Sequence, residues 1–138
     1  GSAYIYRSED GGNRWPFETK LVAPDAAPGD LFGYAVAIDG NVALVGAPRD
    51  DSDSGSGFDH GSAYVYRTED SGVTWDFQAK LLAPDLMPVD RFGTSVDING
   101  NFAVLGAYLD DDQGGESGSA YVYRTGDGGA GWSFQAKL

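Results

Sequence analysis

The amino-acid sequence predicts an all-β chain built from a unit that recurs with a period of roughly 60 residues. The tetrapeptide Gly-Ser-Ala-Tyr begins at positions 1, 61 and 118, Phe-Gly pairs begin at 32 and 92, and tryptophans stand at 15, 75 and 132. Short alternating apolar segments between glycine-rich turns are typical of strands, and no segment has the apolar spacing of a helix. We expect one array with repeats at about 1–60, 61–117 and 118–138, the last of them partial.

The first half of each repeat predicts a β-hairpin. Residues 3–7 alternate small or aliphatic side chains with tyrosines, which is the period of two expected of a strand. A turn at Asp10-Gly11-Gly12 interrupts this pattern and residues 15–22 resume it, so the two segments should pair.

The second half of each repeat predicts another hairpin, from residues 34–38 and 42–45 in the first copy. Asp39-Gly40 suits the positive φ values of a tight type I′ turn, and Asn99-Gly100 replaces it with an equivalent turn in the second copy. Two hairpins per repeat give four antiparallel strands, the usual content of a propeller blade. The prediction is therefore about two and a third repeats of a partial or oligomer-completed β-propeller.

Composition narrows the class of partner. The formal net charge of −12 disfavours nucleic acid and anionic membranes, because phosphate binding needs a cationic face. No apolar run approaches the ~18 residues of a membrane-spanning helix, so membrane insertion is not expected. Of the 21 acidic residues 17 are Asp, which suits turns and calcium loops, although adaptation to a salty medium is a competing explanation. The chain has no cysteine, which excludes disulfides.

Each repeat resembles the FG-GAP repeat, known from the propeller head of integrin α subunits and from many extracellular bacterial and algal proteins. In each copy a Phe-Gly pair precedes a Gly-Ala pair: Phe32, Gly33, Gly46 and Ala47, then Phe92, Gly93, Gly106 and Ala107. The resemblance implies a β-propeller in which the Phe fills the gap between neighbouring blades and glycines let backbones approach closely. It also implies an extracellular or cell-surface location.

A second pattern resembles the Asp-box, Ser/Thr-x-Asp-x-Gly-x-x-Trp, found in sialidase-like and other propellers. It occurs three times: Ser8, Asp10, Gly12 and Trp15; Thr68, Asp70, Gly72 and Trp75; Thr125, Asp127, Gly129 and Trp132. Its spacing lets the carboxylate accept hydrogen bonds from turn amides while the Trp folds back over the hairpin. We expect these residues to hold turns and not to catalyse a reaction.

The calcium loop that integrin repeats carry between the FG and GAP elements is absent, since only Ile38-Asp39-Gly40-Asn41-Val42 stands there in the first copy. The nearest substitute is the loop at residues 51–59, where Asp51, Asp53 and Asp59 could provide oxygens to a calcium ion. A solvated acidic loop without a bound ion is the favoured interpretation, and the calcium site is the alternative. A weaker candidate comprises Asp110, Asp111, Asp112 and Glu116.

The sequence offers little catalytic apparatus, and we expect no enzyme. His60 is the only histidine, so metal sites of the His/Cys type are excluded. Tyrosines and arginines of the kind a sialidase uses occupy equivalent positions in every copy, whereas an active site breaks the symmetry of a repeat.

Residues that differ between the copies are better candidates for partner binding. They lie in the loop that follows each Gly-Ala pair: Arg49, Phe58 and His60 in one loop, Tyr108 and Leu109 in its counterpart. Loops on the edge of a rigid propeller commonly contact partners.

Closed propellers typically need about four to eight blades, more than this chain provides. We therefore expect it to be part of a longer propeller or a short array docked on a larger assembly, with a partner surface lined by residues such as Phe32 and Val36. The predicted function is a non-catalytic extracellular scaffold or adhesion module that contacts proteins or further blades, with calcium as the one expected cofactor, if any. A structural or accessory subunit of a large assembly, and a fragment of a glycan-binding or sialidase-like propeller, are the alternatives.

Overall fold

The computed structural model describes residues 1–51, 58–85, 87–112, 114–115 and 117–138. Within these ranges all regular elements are β-strands and none is a helix. There are ten: β1 (Ala3–Tyr6), β2 (Phe17–Leu21), β3 (Ala35–Asp39), β4 (Val42–Ala47), β5 (Ser62–Arg67), β6 (Asp76–Leu81), β7 (Ser95–Asn99), β8 (Phe102–Ala107), β9 (Ser119–Thr125) and β10 (Trp132–Lys137). The prediction of an all-β chain is confirmed.

The strands form three antiparallel sheets, in each of which sequence neighbours are also neighbours in space. Strands β1 and β2 form a two-stranded sheet, here called the half-blade. The first blade is β3-β4-β5-β6 and the second blade is β7-β8-β9-β10. Sheets of four antiparallel strands are those expected of propeller blades. Each blade joins the second hairpin of one sequence repeat to the first hairpin of the next.

The hairpins follow from local sequence. Asp39 pairs with Val42 across the two-residue connection Gly40-Asn41, in which Gly40 has a φ of 56°. Asn41 has no positive φ, so the predicted type I′ turn, which needs positive φ at both central residues, is wrong, and the glycine at the first central position is typical of a type II′ turn. Asn99 pairs with Phe102 in the same way in the second blade. Both predicted turns therefore join the strands that they were expected to join.

Apolar side chains pack between the sheets, so a strand is buried according to the number of sheets that cover it. All six residues of β4 are buried, because the first blade lies between the half-blade and the second blade. The equivalent strand β8 alternates between buried and exposed residues, because only one face of the second blade is covered. One core cluster lies on each side of the first blade.

The phenylalanines of the two Phe-Gly pairs lie in these cores. The ring of Phe92 is 5.3 Å from that of Tyr121, and its amide donates a hydrogen bond of 2.9 Å to the carbonyl of His60 at the edge of the first blade. Phe32 makes the equivalent ring contact with Tyr64 at 5.3 Å. The expectation that Phe32 lines an exposed blade face is wrong, since it is buried in contact with its own blade, while Val36 is indeed exposed.

The glycine of the second Phe-Gly pair lies where the backbones of the two blades approach each other closely. A side chain at Gly93 would overlap the carbonyl oxygen of Ser62 at the start of β5, and its φ of 82° is one that glycine adopts without strain. A side chain at Gly33 would likewise overlap the carbonyl oxygen of Ser2, next to β1 of the half-blade.

The blades present two ends with different chemistry. The turn end carries the β3–β4 and β7–β8 turns and the three Ser/Thr-x-Asp-x-Gly-x-x-Trp segments. The loop end carries the connections between sheets and the loops that follow β4 and β8.

Candidate functional site

The three Ser/Thr-x-Asp-x-Gly-x-x-Trp segments form nearly identical turns. In the middle one, the Thr68 hydroxyl donates to Asp70 at 2.8 Å, the Gly72 amide donates to Thr68 at 2.9 Å, and the Trp75 indole donates to the Gly72 carbonyl at 3.0 Å. The amide of Thr74 donates to Asp70 at 2.8 Å. The same four bonds occur in the turns that contain Asp10 and Asp127.

These hydrogen bonds keep the turn carboxylates ionised. The side chain and amide of Thr74 lower the pKa of Asp70 to about 2, and amide donors lower the pKa of Asp10 and Asp127. Trp75 packs against the core between the half-blade and the first blade, and Trp132 packs against the core between the two blades. Each of these turns therefore covers one core at the turn end. Because each carboxylate accepts a hydrogen bond from an amide of its own turn, its role is to stabilise that turn. We call these three segments the turn braces.

The loop end of the first blade carries an ionic cluster in which Asp50, Tyr64 and Ser62 are buried and Lys80 and Asp25 reach the surface. We call it the first lysine cluster: Lys80, Asp25, Asp50, Tyr64 and Ser62. The Lys80 ammonium lies 2.7 Å from a carboxylate oxygen of both Asp25 and Asp50. The hydroxyl of Tyr64 is also 2.7 Å from each carboxylate, and Ser62 donates to Asp50. The cluster joins the connection before β3, the loop after β4, and strands β5 and β6.

The second lysine cluster repeats this arrangement with Lys137, Asp85, Asp110, Asp112 and Tyr121. Asp85, Asp110 and Asp112 place carboxylate oxygens within 4.8 Å of one another, a spacing that a metal ion could use. The Lys137 ammonium lies 2.7 Å from Asp85 and Asp110 and also pairs with Asp112. Since that ammonium already lies among the three carboxylates and pairs with each of them, the arrangement is a salt-bridge network.

The cluster carboxylates differ electrostatically from their neighbours. Burial alone would raise the pKa of Asp25, but hydrogen bonds from Lys80 and Tyr64 outweigh it and hold the pKa below its ordinary value. The pKa values of Asp85 and Asp110 are lowered by the same balance. Burial raises the pKa of Asp30 and of Asp90 despite a hydrogen bond from a backbone amide, and neighbouring carboxylates raise it further.

A groove of about 170 Å³ opens at the loop end between the first and second blades. We call it the loop-end groove; it is lined by Leu31, Tyr34, Pro48, Arg49, Arg91, Thr94 and Tyr108. Tyr34 and Tyr108 have 60% and 57% of their surface exposed. The copies differ at the lining positions, since Tyr34 of one repeat corresponds to Thr94 of the next and Pro48 corresponds to Tyr108.

Arginines set the charge of this groove. Arg91 Nη1 lies 2.6 Å from Asp59 Oδ2, while Arg49 Nε is 3.9 Å from the same oxygen and its side chain is half exposed. Arg91 and the equivalent Leu31 have φ values of 62° and 60°, a left-handed conformation that is unfavourable for such side chains. Strained backbone of this kind often occurs at binding sites, where the surrounding structure enforces it.

Comparison with protein families identifies the repeat. The model of the FG-GAP repeat matches residues 15–66 and 75–123, which is well over half of the chain. This chain belongs to the FG-GAP repeat family. Each match runs from a tryptophan through a Phe-Gly pair and a Gly-Ala pair into the next Ala-Tyr strand. No curated protein matches the chain at a significant level.

Membership of the FG-GAP family supports the sequence-based assignment of blades, and FG-GAP propellers generally mediate protein interactions and are typically extracellular. In the part of the chain that the structure describes, no helix is long and apolar enough to cross a membrane.

The calcium site predicted at Asp51, Asp53 and Asp59 stays a prediction. Asp53 lies outside the described residues, as does Glu116 of the weaker candidate. The carboxylate of Asp59 pairs with Arg91, which lies in another connection. Asp110 and Asp112 of the weaker candidate hold the ammonium of Lys137.

The five predicted partner-binding residues of this FG-GAP chain separate into three groups. Arg49 and Tyr108 line the loop-end groove together. Phe58 is exposed and Leu109 half-buried, but neither lines the groove. His60 is buried, and its carbonyl accepts the amide of Phe92, so it contributes to the blade interface and not to the exposed surface.

The lysine clusters were not predicted from the sequence, nor was most of the groove, including Tyr34 and Leu31. A signal for the clusters was present, because Ala-Pro-Asp recurs at 23 and 83 and Ala-Lys-Leu at 79 and 136. That recurrence indicates a structural role but not which lysine meets which carboxylate, since the partners are 55 residues apart in the case of Lys80 and Asp25.

Proposed function

We propose that this chain is a non-catalytic FG-GAP propeller segment, extracellular or at a cell surface, that binds a protein partner through the loop-end groove. The observation that carries the proposal is the grouping of Tyr34, Tyr108 and Arg49 as exposed side chains around one groove on a rigid pair of blades. Tyr and Arg dominate the energetically important positions of protein interfaces.

The lining of the groove varies between the copies, unlike the elements that hold the repeat together. The turn braces, the lysine clusters and the phenylalanines of the Phe-Gly pairs recur in the copies and are engaged within the fold. The lining of the groove instead differs between copies at Tyr34 and Thr94 and at Pro48 and Tyr108. Exposed residues that vary among structurally equivalent positions are those that can provide specificity.

The chemistry of the groove favours a segment with an acidic and an apolar group. Arg49 is half exposed and lies at the long end of ion-pair distance from Asp59, so its guanidinium is accessible to a carboxylate of a partner. The rings of Tyr34 and Tyr108 offer apolar area with a polar tip, at a low cost in conformational entropy. The net charge of −12 repels an acidic partner at long range, so the attraction to this guanidinium would act at short range and orient a carboxylate within the groove.

The proposal is tested by binding of the purified chain to a panel of extracellular proteins and to a glycan array. A chain with both Arg49→Ala and Tyr108→Ala should lose at least about tenfold in affinity for any protein bound by the parent chain. Asn13→Ala is the matched control at the turn end, where the side chain is exposed, and its affinity should be unchanged. Unchanged binding of the double variant would contradict the assignment of the groove.

The glycan array and an enzyme assay separate the alternatives. Binding of glycans in place of proteins, abolished by Tyr108→Ala, would indicate a glycan-binding propeller. Hydrolysis of a fluorogenic sialoside by the chain would show that it is not a non-catalytic module.

Calcium is tested by thermal melting with and without a chelator. We expect an unchanged midpoint, because Asp59 is already paired with Arg91 and the second acidic group is already occupied by Lys137. A midpoint that falls on chelation, and that no longer does so after Asp51→Asn, would establish a calcium ion at the loop that contains Asp51.

A further inference from the structure

The half-blade has a free sheet edge. Among the described residues, β1 pairs with β2 on one side and with no strand on the other. A groove of about 520 Å³ lies beside this edge, between β1 and the first blade, and we call it the edge groove. Val36 and Ile38 of β3 line it and are 62% and 58% exposed.

The interface between the two complete blades shows which element fills the equivalent space. There β4 pairs with β5, the strand that corresponds to β1, and both β3 and β4 pack against β7. Val96 and Ile98 of β7 correspond to Val36 and Ile38, but they belong to a core cluster that also contains Ala37, Val42 and Leu44. The element that fits the edge groove by equivalence is therefore an antiparallel hairpin like that of β3 and β4.

The half-blade also carries half of a lysine cluster. Ser2, Tyr4 and Lys20 correspond to Ser62, Tyr64 and Lys80. Lys20 is exposed and has no carboxylate partner among the described residues, and its ammonium lies 5.8 Å from the centre of the Tyr4 ring. The Ser2 hydroxyl donates to that of Tyr4 at 3.2 Å. In the first lysine cluster, the same three groups hold two carboxylates.

One continuous segment supplies everything that the first blade has and the half-blade lacks. Residues 23–51 contain Asp25, the Phe32 ring that contacts Tyr64 and Tyr66, strands β3 and β4, and Asp50. The charge of this segment is complementary to Lys20, and its apolar residues are complementary to the edge groove.

We infer that the free edge of β1 is a docking site for a β-hairpin from another FG-GAP repeat, which brings two carboxylates to Tyr4 and Lys20. The internal repeat fixes the register. The residue equivalent to Val45 lies opposite Tyr4, and the residue equivalent to Ala43 lies opposite Tyr6, as they do opposite Tyr64 and Tyr66. Strand addition of this kind gains main-chain hydrogen bonds along β1 and covers Val36 and Ile38.

The hairpin can be represented by a synthetic peptide with the sequence of residues 23–51. Fluorescence anisotropy of the labelled peptide, titrated with the full 138-residue chain, should show saturable binding. Hydrogen exchange should become slower at the amides of residues 3–6 when the peptide is bound. Failure of these amides to gain protection would overturn the inference even if the peptide bound elsewhere.

The carboxylates provide the specific test. A peptide with Asp25→Asn and Asp50→Asn should bind about tenfold more weakly, and Lys20→Gln in the chain should have a similar effect. The two changes combined should be little worse than either alone, because each removes the same interaction. Val104→Thr is the control on the other uncovered blade face and should leave the affinity unchanged. Additive losses would overturn the assignment of the carboxylates.

A fused form guards against a peptide that is insoluble by itself. The sequence of residues 23–51 is attached through a flexible linker before Gly1, which raises its effective concentration to roughly millimolar. The fusion should melt at a higher temperature than the parent chain, and the increase should shrink when the fused segment carries both Asn substitutions. An unchanged melting temperature, in a fusion that light scattering shows to be neither stabilised as a monomer nor dimerised through the fused segment, would overturn the inference.

The inference concerns the half-blade and is independent of the loop-end groove. The Lys20→Gln chain should still bind any partner that the loop-end groove recognises. A peptide that fails to dock would therefore leave the proposed function intact, and unchanged partner binding by the Arg49 and Tyr108 double variant would leave the docking site intact.

Discussion

Tyr64 and Tyr4 have the same place in the repeat but different surroundings. Tyr64 lies in the first blade, fully buried, with its hydroxyl bonded to two carboxylates. Tyr4 lies in the half-blade with 53% of its surface exposed, and its hydroxyl accepts a hydrogen bond from Ser2. The difference is whether the hairpin that carries Phe32, Asp25 and Asp50 is present beside the strand.

The comparison shows that an FG-GAP residue gains most of its stabilising contacts from the neighbouring hairpin. In repeat proteins the stability of a unit depends on its interfaces as well as on its own contacts. Substitutions at equivalent positions of the half-blade and the blades should therefore differ in cost, although the residues are identical.

The largest difference is expected for the tyrosines themselves. Tyr64→Ala should lower the free energy of unfolding by about 4 kcal/mol, because it empties a fully buried ring site and removes the hydroxyl that bonds to Asp25 and Asp50. Tyr4→Ala should cost less than about 1 kcal/mol. Urea denaturation followed by tryptophan fluorescence measures both, and equal costs would show that the half-blade is more ordered than its exposure indicates.

The lysines should show the next largest difference. Lys80→Met removes the cation between Asp25 and Asp50, of which Asp50 is buried, and should cost about 3 kcal/mol. Lys20→Met should change the stability by less than about 0.5 kcal/mol, because Lys20 is exposed. A similar loss in both variants would mean that Lys20 has a partner in solution.

The fold could be predicted from the sequence because its signals are local. Alternation at residues 3–7, the Asp39-Gly40 turn and the three Trp-containing turns each specify a hairpin without reference to distant residues. The repeat then places equivalent hairpins in equivalent positions, so one correct hairpin predicts the others.

The candidate site could be predicted only in part, because it depends on contacts across sheets. Arg49 and Tyr108 were recognisable as variable loop residues, but their meeting with Tyr34 and Arg91 depends on how the blades pack. His60 has the sequence context of an exposed loop, yet the Phe92 contact buries it. The lysine clusters were missed for the same reason, since Lys137 meets carboxylates 52 and 25 residues away along the chain.

Valines in the two blades provide a smaller contrast with identical chemistry. Val65 is fully buried between the blades, while its equivalent Val122 lies half-buried on the uncovered face of the second blade. Val65→Ala should cost about 2 kcal/mol from lost burial and the cavity, and Val122→Ala less than about 1 kcal/mol. If a hairpin or partner that covers this face is added, the cost at Val122 should rise.

The smallest effects are expected from single carboxylates, and their signs distinguish two surroundings at the loop end. The pKa of Asp25 is lowered in the folded chain, so its ionised form stabilises the fold above the ordinary pKa of 3.8, and this contribution is lost as the pH falls through the folded value. The pKa of Asp30 is raised in the folded chain, so its ionisation lowers the stability of the fold as the pH rises through the raised pKa.

Asp25→Asn should therefore destabilise at pH 7 by up to about 1 kcal/mol, with a difference that shrinks below pH ~4. Asp30→Asn keeps an oxygen that can accept the amide of Ala27 and should be neutral or stabilising at pH 7. Denaturation curves at several pH values measure both differences. Two variants with losses of the same sign and pH dependence would show that Lys80 does not distinguish these neighbouring carboxylates.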